Sequence, residues 1–219
     1  MKKVLVGALA LGLMFTSCND QGKKAETKEA EKVEVVKTDE TVTLEKVEEG
    51  SSVQWRAAHL GGAQPRNGQI FAKSASFLVN NGDLSNAKIV MDMNSLTVEN
   101  FPEGAEETAQ LTGHLKNGDF FDVEKFPTSE FELTSMEKAE GDFNSTVTGN
   151  LSIMGVTKSV TFAANVTVSA DKVSVKSEDF SVDRRDWNLT YHVEGSEGVP
   201  ADYLIANEIG FTINMTVSK

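Results

Sequence analysis

Cysteine, basic residues and long apolar runs are all scarce in this chain. Its one cysteine, Cys18, has no partner for a disulfide bond within the chain. The 21 Lys and Arg residues are outnumbered by 33 Asp and Glu, and the formal net charge is −12. Because nucleic acid is a polyanion, this charge argues against nucleic-acid binding. After the N-terminal region, no segment is long and apolar enough to look transmembrane.

The motifs of metal and nucleophile chemistry are also missing. His59, His114 and His192 stand far apart, and neither His-x-His nor His-Glu-x-x-His spacing occurs, so we expect no metal site. The sequence has no Gly-x-Ser-x-Gly elbow and no phosphate-binding glycine loop. We therefore predict no catalytic residues, no enzymatic activity and no cofactor.

The N-terminus has the pattern of an export signal. Lys2 and Lys3 precede an apolar run, residues 4–15, which leads into Thr16-Ser17-Cys18. A basic start, about a dozen apolar residues and small residues at the end predict a signal peptide over residues 1–17. The run is too short for a transmembrane helix, which needs about 20 residues.

The residues before Cys18 resemble the lipobox of bacterial lipoproteins, although Phe15 stands where that motif prefers an aliphatic residue. The resemblance implies that Cys18 carries acyl chains and anchors an exported protein to a membrane of the cell envelope, in the periplasm or at the outer membrane. The alternative is an ordinary signal peptide with an incidental cysteine.

Residues 18–40 are rich in Lys, Glu, Thr and Ala and have few large apolar side chains. Such a segment cannot bury enough surface to offset chain entropy, so we predict a flexible tether. A surface helix is the alternative, since Ala, Glu and Lys favour helix. Residues 41–219 remain for one domain, whose size is normal for a single core.

From Thr41 onward, apolar and polar residues alternate with a period of two, most clearly over residues 160–168 and 209–217. Strands with one apolar and one polar face belong to antiparallel sheets. Turn signals separate the runs, at residues 80–83, 141–142, 154–157 and 170–172. About eight strands at these intervals predict an all-β sandwich or barrel.

Residues 102–117 break the alternation. They contain helix formers, with acidic residues early and Lys116 late, which suits the helix macrodipole. We predict one or two helical turns, interrupted near Gly113, that form a cap over one end of the sheet.

The stretch from His114 to Pro127 reads HLKNGDFFDVEKFP and resembles a signature of the YceI-like family. Other segments resemble family motifs in the same order: SVQW at 52–55, IVMDMNSL at 89–96, GNLSIMGVTKSV at 149–160 and FSVDRRDW at 180–187. The resemblance covers roughly residues 41–219, and the loop at 58–68 departs from the Gly/His-rich stretch that family members often carry. It implies an exported, antiparallel lipocalin-like β-barrel that binds polyisoprenoid or another long-chain lipid.

An eight-stranded barrel has room inside for packed side chains or for one small ligand. The apolar faces therefore allow two interpretations: a lipid-binding cavity, or a filled barrel that acts as an envelope interaction or stress protein. Phe120 and Phe121 have the same two interpretations, as pocket wall or as a plug. The predicted ligand-binding residues are Trp55, Met91, Phe120, Phe121, Phe162, Trp187, Phe211 and Ile213.

Two sets of polar residues lead to further hypotheses about function. Arg184 and Arg185 could pair with a lipid phosphate, or form a structural ion pair with Asp183 or Asp186. An enzyme acting on a lipid would need a buried polar cluster at the barrel mouth, for which His114 with Asp119 or Asp122 are the candidates. The sequence leaves open whether the protein forms a homodimer.

Overall fold

The structure, a computed structural model, describes residues 21–35 and 37–219. The predicted signal peptide and Cys18 lie outside the described residues. Within these described ranges one α-helix, α1 (Glu106–Lys116), accompanies the strands. The strands are β1 (Lys23–Lys24), β2 (Glu26–Glu29), β3 (Val42–Leu44), β4 (Lys46–Val47), β5 (Ser52–Ala57), β6 (Arg66–Asn80), β7 (Asp83–Asp92), β8 (Thr128–Lys138), β9 (Ser145–Ile153), β10 (Val156–Val168), β11 (Lys172–Ser177), β12 (Phe180–Asp183) and β13 (Glu208–Ser218).

Eight of these strands close a barrel in the order β5-β6-β7-β8-β9-β10-β11-β13, because β13 pairs back onto β5. Every neighbouring pair in this ring is antiparallel. The predicted eight-stranded, lipocalin-like antiparallel barrel is therefore confirmed. The alternation in the sequence follows from this architecture, since successive side chains of a strand point into the barrel and out to solvent.

Two tight hairpins fix the register of the wall. Asn81-Gly82 joins β6 to β7, and Met154-Gly155 joins β9 to β10, with positive φ at all four residues. Two-residue loops of this kind match the twist of the strands that they join. The second turn is shorter than predicted, because Val156 and Thr157 already belong to β10.

The barrel has two different ends. We call one the helix end; it carries the 58–65 and 184–207 loops and the long connection, residues 93–127, that contains α1. We call the other the hairpin end; it carries the Asn81-Gly82 turn and the loops at 139–144 and 169–171.

Helix α1 lies at the helix end, as predicted, but it runs unbroken through Gly113 for 11 residues. A glycine inside a helix costs only about 1 kcal/mol relative to alanine, which tertiary contacts can offset. Leu115 supplies such contacts because it is buried in the core. Lys116 adds another, since its Nζ donates to the Asn94 carbonyl at 2.6 Å.

The prediction of a flexible tether over residues 18–40 is wrong for residues 23–29, which form β1 and β2. β1 pairs in parallel with β12, and β2 pairs antiparallel with β10. The prediction from composition failed here because composition indicates only how much side-chain surface a segment can bury. These strands are ordered mainly by backbone hydrogen bonds to the edges of β10 and β12, to which side-chain polarity is no obstacle.

Candidate functional site

The barrel encloses an internal cavity of about 120 Å³. Of the 31 described residues that line it, only Ser129, Glu130 and Arg184 are polar. A site with so few polar groups cannot offer a hydrogen-bond pattern to a polar ligand, so it suits an apolar one.

The lining comes from alternate positions of the wall strands. β10 contributes Val160, Phe162 and Val166, and β13 contributes Ile209, Phe211, Ile213 and Met215. These seven are among the apolar positions of the two clearest alternating runs in the sequence. The inward face predicted for these two strands is therefore the face that lines the cavity.

Seven of the eight predicted site residues line the cavity: Trp55, Met91, Phe121, Phe162, Trp187, Phe211 and Ile213. Phe120 does not belong to the lining. Its ring packs against His114 and Tyr191, with both centroid distances at 5.0 Å. Phe120 and Phe121 follow α1 in a turn, where adjacent side chains diverge, so only Phe121 reaches the cavity. A ligand-binding role for the seven remains a prediction.

A row of four phenylalanines crosses the cavity wall. Phe162 and Phe180 stack with centroids 4.6 Å apart and an interplanar angle of 5°. Phe131 lies 5.8 Å from Phe162, and Phe211 lies 5.9 Å from Phe180. Sequence reasoning missed Phe131 and Phe180. The spacing Phe131-x-Leu133 was an available signal, whereas all four residues of β12 are buried and show no alternation.

The indole N–H groups of the two tryptophans are satisfied by backbone carbonyls. The indole N–H of Trp55 donates to the Thr97 carbonyl at 3.1 Å, and that of Trp187 donates to the Leu151 carbonyl at 3.0 Å. Trp187 is fully buried. Both rings can therefore present apolar surface to the cavity without an unpaired donor.

Arg184 is a buried cation at the helix end of the cavity. Its Nε donates to the Ala206 carbonyl, Nη1 to those of Leu189 and Tyr191, and Nη2 to that of Ile205, at 2.8 to 3.2 Å. Burial lowers the pKa of Arg184 to about 10, so the group stays charged at neutral pH. Through these hydrogen bonds Arg184 holds the 189–206 loop over the end of the barrel.

The structural ion pair expected near Arg184 is made by its neighbour. Arg185 donates through Nε and Nη2 to the Asp183 carboxylate. This hydrogen-bonded guanidinium lowers the pKa of Asp183. Among the described residues, no carboxylate forms a salt bridge with Arg184, whose partners are carbonyl oxygens.

The His114 candidate for acid–base chemistry lies on the surface at the helix end. Its Nε2 is 3.2 Å from Asp119 Oδ2, with the two side chains 37% and 51% exposed. Neither residue lines the cavity, so the pair is not the buried cluster that the enzyme hypothesis requires.

In the described part of the chain, no group of three or more His, Cys, Asp or Glu residues could hold a metal ion. No helix among these residues is long and apolar enough to cross a membrane.

Known proteins resemble this chain in sequence and in fold. Residues 44–217 match the family model of the YceI-like domain. A UPF0312 protein of Pseudomonas aeruginosa is 32% identical over 130 residues, which span 58% of this chain and only 62% of that relative. A UPF0312 protein of Pseudomonas putida is 30% identical over 164 residues, which span 75% of this chain and 73% of the relative.

Two solved structures share the fold. BcnA of Burkholderia cenocepacia has a TM-score of 0.58 at 18% identity, with 78% of this chain and 99% of that chain covered. A polyisoprenoid binding domain from Saccharophagus degradans, implicated in plant cell wall breakdown, has a TM-score of 0.57 at 13% identity, with 81% and 99% covered. At these identities the likeness extends to the fold alone.

Proposed function

This chain belongs to the YceI-like family, and we propose that it binds one long apolar molecule, a polyisoprenoid or another long-chain lipid, inside its barrel. The observation that carries the proposal is the cavity lining, in which 28 of 31 residues are apolar. The S. degradans neighbour, described as a polyisoprenoid binding domain, supports the same ligand class.

Burial of apolar surface would supply the affinity. At about 25 cal/mol per Å², 300 Å² of ligand surface gives on the order of 7 kcal/mol before entropy costs. The cavity is smaller than the roughly 300 Å³ at which ligand pockets usually begin, so the lining must yield when a ligand enters. Four methionines in the lining, Met91, Met93, Met136 and Met215, are suited to this because their unbranched side chains adapt to irregular spaces.

A second function is favoured by that small volume. A barrel filled by its own side chains would need no small-molecule ligand and could act as an envelope interaction or stress protein. The two functions differ in a simple respect: only the binding protein loses a ligand when the interior is made polar.

A pair of variants on β13 tests the binding function. Ile213 lines the cavity, whereas Asn214 is exposed on the outer face of the same strand. Ile213→Asp and Asn214→Asp each add one negative charge, one inside and one outside. We expect the Ile213 variant to bind a fluorescent long-chain fatty acid at least 100-fold more weakly, while the Asn214 variant keeps its affinity. Equal affinities for two folded variants would remove the cavity from the function.

We also propose that the protein works in the cell envelope as a lipoprotein, exported by residues 1–17 and acylated at Cys18. The lipobox resemblance supports this location. Mass spectrometry of the protein extracted from membranes tests it: the expected mass includes a lipid modification that Cys18→Ser removes. An unmodified Cys18 on an exported protein would contradict the anchor and leave the cavity function untouched.

A further inference from the structure

The barrel wall opens between β10 and β12. Near the hairpin end, residues 164–168 of β10 pair directly with residues 173–177 in β11. Toward the helix end the two strands separate, and residues 158–161 of β10 pair with β2 instead. β12 pairs with β1 on its side of the gap. Residues 23–29, here called the seam strand, therefore fill an opening in the wall.

The seam strand fits this opening closely at its start. The Lys23 amide donates to the Asp179 carbonyl at 3.0 Å, and the Ala25 amide donates to the Ser181 carbonyl at 2.8 Å. A Cβ on Gly22 would lie 2.5 Å from the Asp179 carbonyl, and one on Gly210 would lie 2.5 Å from the Gln21 carbonyl oxygen. Glycine at both positions lets the backbones approach, which indicates a specific docking site.

The side chains of the seam strand contribute little to holding it there. Among residues 21–31, only Ala25 belongs to the apolar core. The ion pairs Lys158–Glu29 and Lys24–Glu208 each involve at least one well-exposed side chain. Exposed pairs of this kind contribute little to stability, because solvent screens them. Within residues 23–29 backbone hydrogen bonds are thus the main attachment, whereas Glu31, just beyond, is held by the Asn150 side chain, which accepts from its amide at 2.9 Å and donates to its carbonyl at 2.7 Å.

The cavity lining lies directly behind the seam. Val160 and Phe162 of β10, and Phe180 and Val182 of β12, line the cavity on either side of the opening. Continuing the register of β1 and β2 puts Ala25, the smallest side chain available besides glycine, opposite Phe162 and beside Val182. Displacement of the seam strand would expose these four apolar residues to the outside.

Both ends of the barrel are closed by larger side chains. At the hairpin end, Leu44, Phe77 and Val217 are fully buried. At the helix end, Trp187 is fully buried, and Leu189 lies beside it in the loop held by Arg184. Opening either end would displace these larger core side chains, whereas the seam strand itself contributes only Ala25 to the core.

We propose that the seam between β10 and β12 is the lateral entrance through which the long apolar ligand reaches the cavity, with the seam strand as the part of the wall that moves. This inference rests on the proposed lipid-binding function. It also fits the proposed anchor, because Cys18 is only five residues before Lys23, where the seam strand begins. A lipid leaving the membrane would then meet the entrance first.

A reversible disulfide across the seam tests the entrance. Glu26 and Thr161 are paired positions of β2 and β10, and paired residues of an antiparallel ladder lie within disulfide reach. The variant Glu26→Cys/Thr161→Cys is made in the full chain with Cys18→Ser, so that it holds the only two thiols. The probe is 11-(dansylamino)undecanoic acid, and its release rate into phosphatidylcholine vesicles is measured before and after reduction.

We expect oxidation to slow probe release at least 10-fold, with equilibrium affinity unchanged, and reduction to restore the rate. The matched control is Lys88→Cys/Glu132→Cys, which joins paired positions of the uninterrupted β7–β8 ladder and should leave the rate unchanged. Gly210→Ala is the opposite variant: its Cβ meets the Gln21 carbonyl and should loosen the seam strand, which speeds release.

The outcomes separate the two proposals. Normal affinity with release rates that neither the seam disulfide nor Gly210→Ala alters would overturn the lateral entrance alone. Slowing by the β7–β8 disulfide to the same degree would also overturn it, because general rigidity would then explain the effect. Absence of probe binding in every form, including the parent chain, would overturn the proposed function and the entrance with it.

Discussion

Two short strand additions on this barrel use the same backbone pairing but differ in what they bury. β3 pairs with β6 at the hairpin end and brings Leu44, which is fully buried, into the core. The seam strand pairs with β10 and β12 and brings only Ala25. Hydrogen bonds can position a strand in both places, but apolar burial decides how firmly it stays. We therefore expect β3 to be attached more firmly than the seam strand.

The largest expected effect is at the hairpin end. Leu44→Ala removes a fully buried side chain and should lower the free energy of unfolding by about 2–5 kcal/mol. Ala25→Gly, the corresponding change at the seam, should cost no more than about 1 kcal/mol. Urea denaturation of both variants measures the difference. Equal losses would mean that the seam contributes as much to stability as the end does.

The helix end should be next in sensitivity. Arg184→Met leaves four backbone carbonyls without their shared donor and should lower the free energy of unfolding by roughly 3 kcal/mol. The matched control is Arg185→Met/Asp183→Asn, which removes the adjacent guanidinium together with the charge of its buried partner. A loss for this control as large as that for Arg184→Met would show that the carbonyl contacts do not close this end.

Hydrogen exchange sharpens the comparison without a mutation. The amides of Lys23 and Ala25 should exchange at least 10-fold faster than the paired amides of β6 and β7, because a weakly attached strand opens locally before the barrel unfolds. Mass spectrometry of peptides covering residues 21–31 and 75–91 gives the two rates. Equal protection in the two segments would contradict a movable seam strand.

The smallest expected effect is pH dependent and lies where β12 meets the helix end. The Arg185 guanidinium lowers the pKa of Asp183 in the folded protein. The ionised Asp183 therefore stabilises the fold fully only above the pKa of about 3.9 that an Asp has in the unfolded chain. That contribution is lost as pH falls through the lower, folded pKa. Asp183→Asn should therefore be less stable than the parent at pH 7 and match it more closely near pH 2. Thermal unfolding across this pH range checks the convergence, and a constant difference would contradict it.

Local pattern predicted the regular part of the molecule. The alternation in β10 and β13 identified Phe162, Phe211 and Ile213 as inward-facing, because a barrel strand with one solvated face must alternate. Phe120 was misplaced because a turn has no such period. The strong helical composition around α1 likewise outweighed Gly113, which sequence reasoning treated as a break.

The features that the sequence did not predict depend on contacts between distant parts of the chain. β12 is short and buried at every position, so Phe180 gave no alternation to read. The seam strand looked like a tether because its side chains are polar. Its order comes from the gap between β10 and β12, about 130 to 160 residues away in sequence, which no local pattern could reveal.

The most direct test of the central claim is native mass spectrometry of the full chain, purified from a bacterial host without detergent, followed by analysis of the lipids extracted from the same sample. We expect a stoichiometric noncovalent adduct that is released as an isoprenoid or a long-chain lipid and is absent from the Ile213→Asp variant. A ligand-free mass that persists after incubation with such lipids would contradict it and would favour the filled barrel.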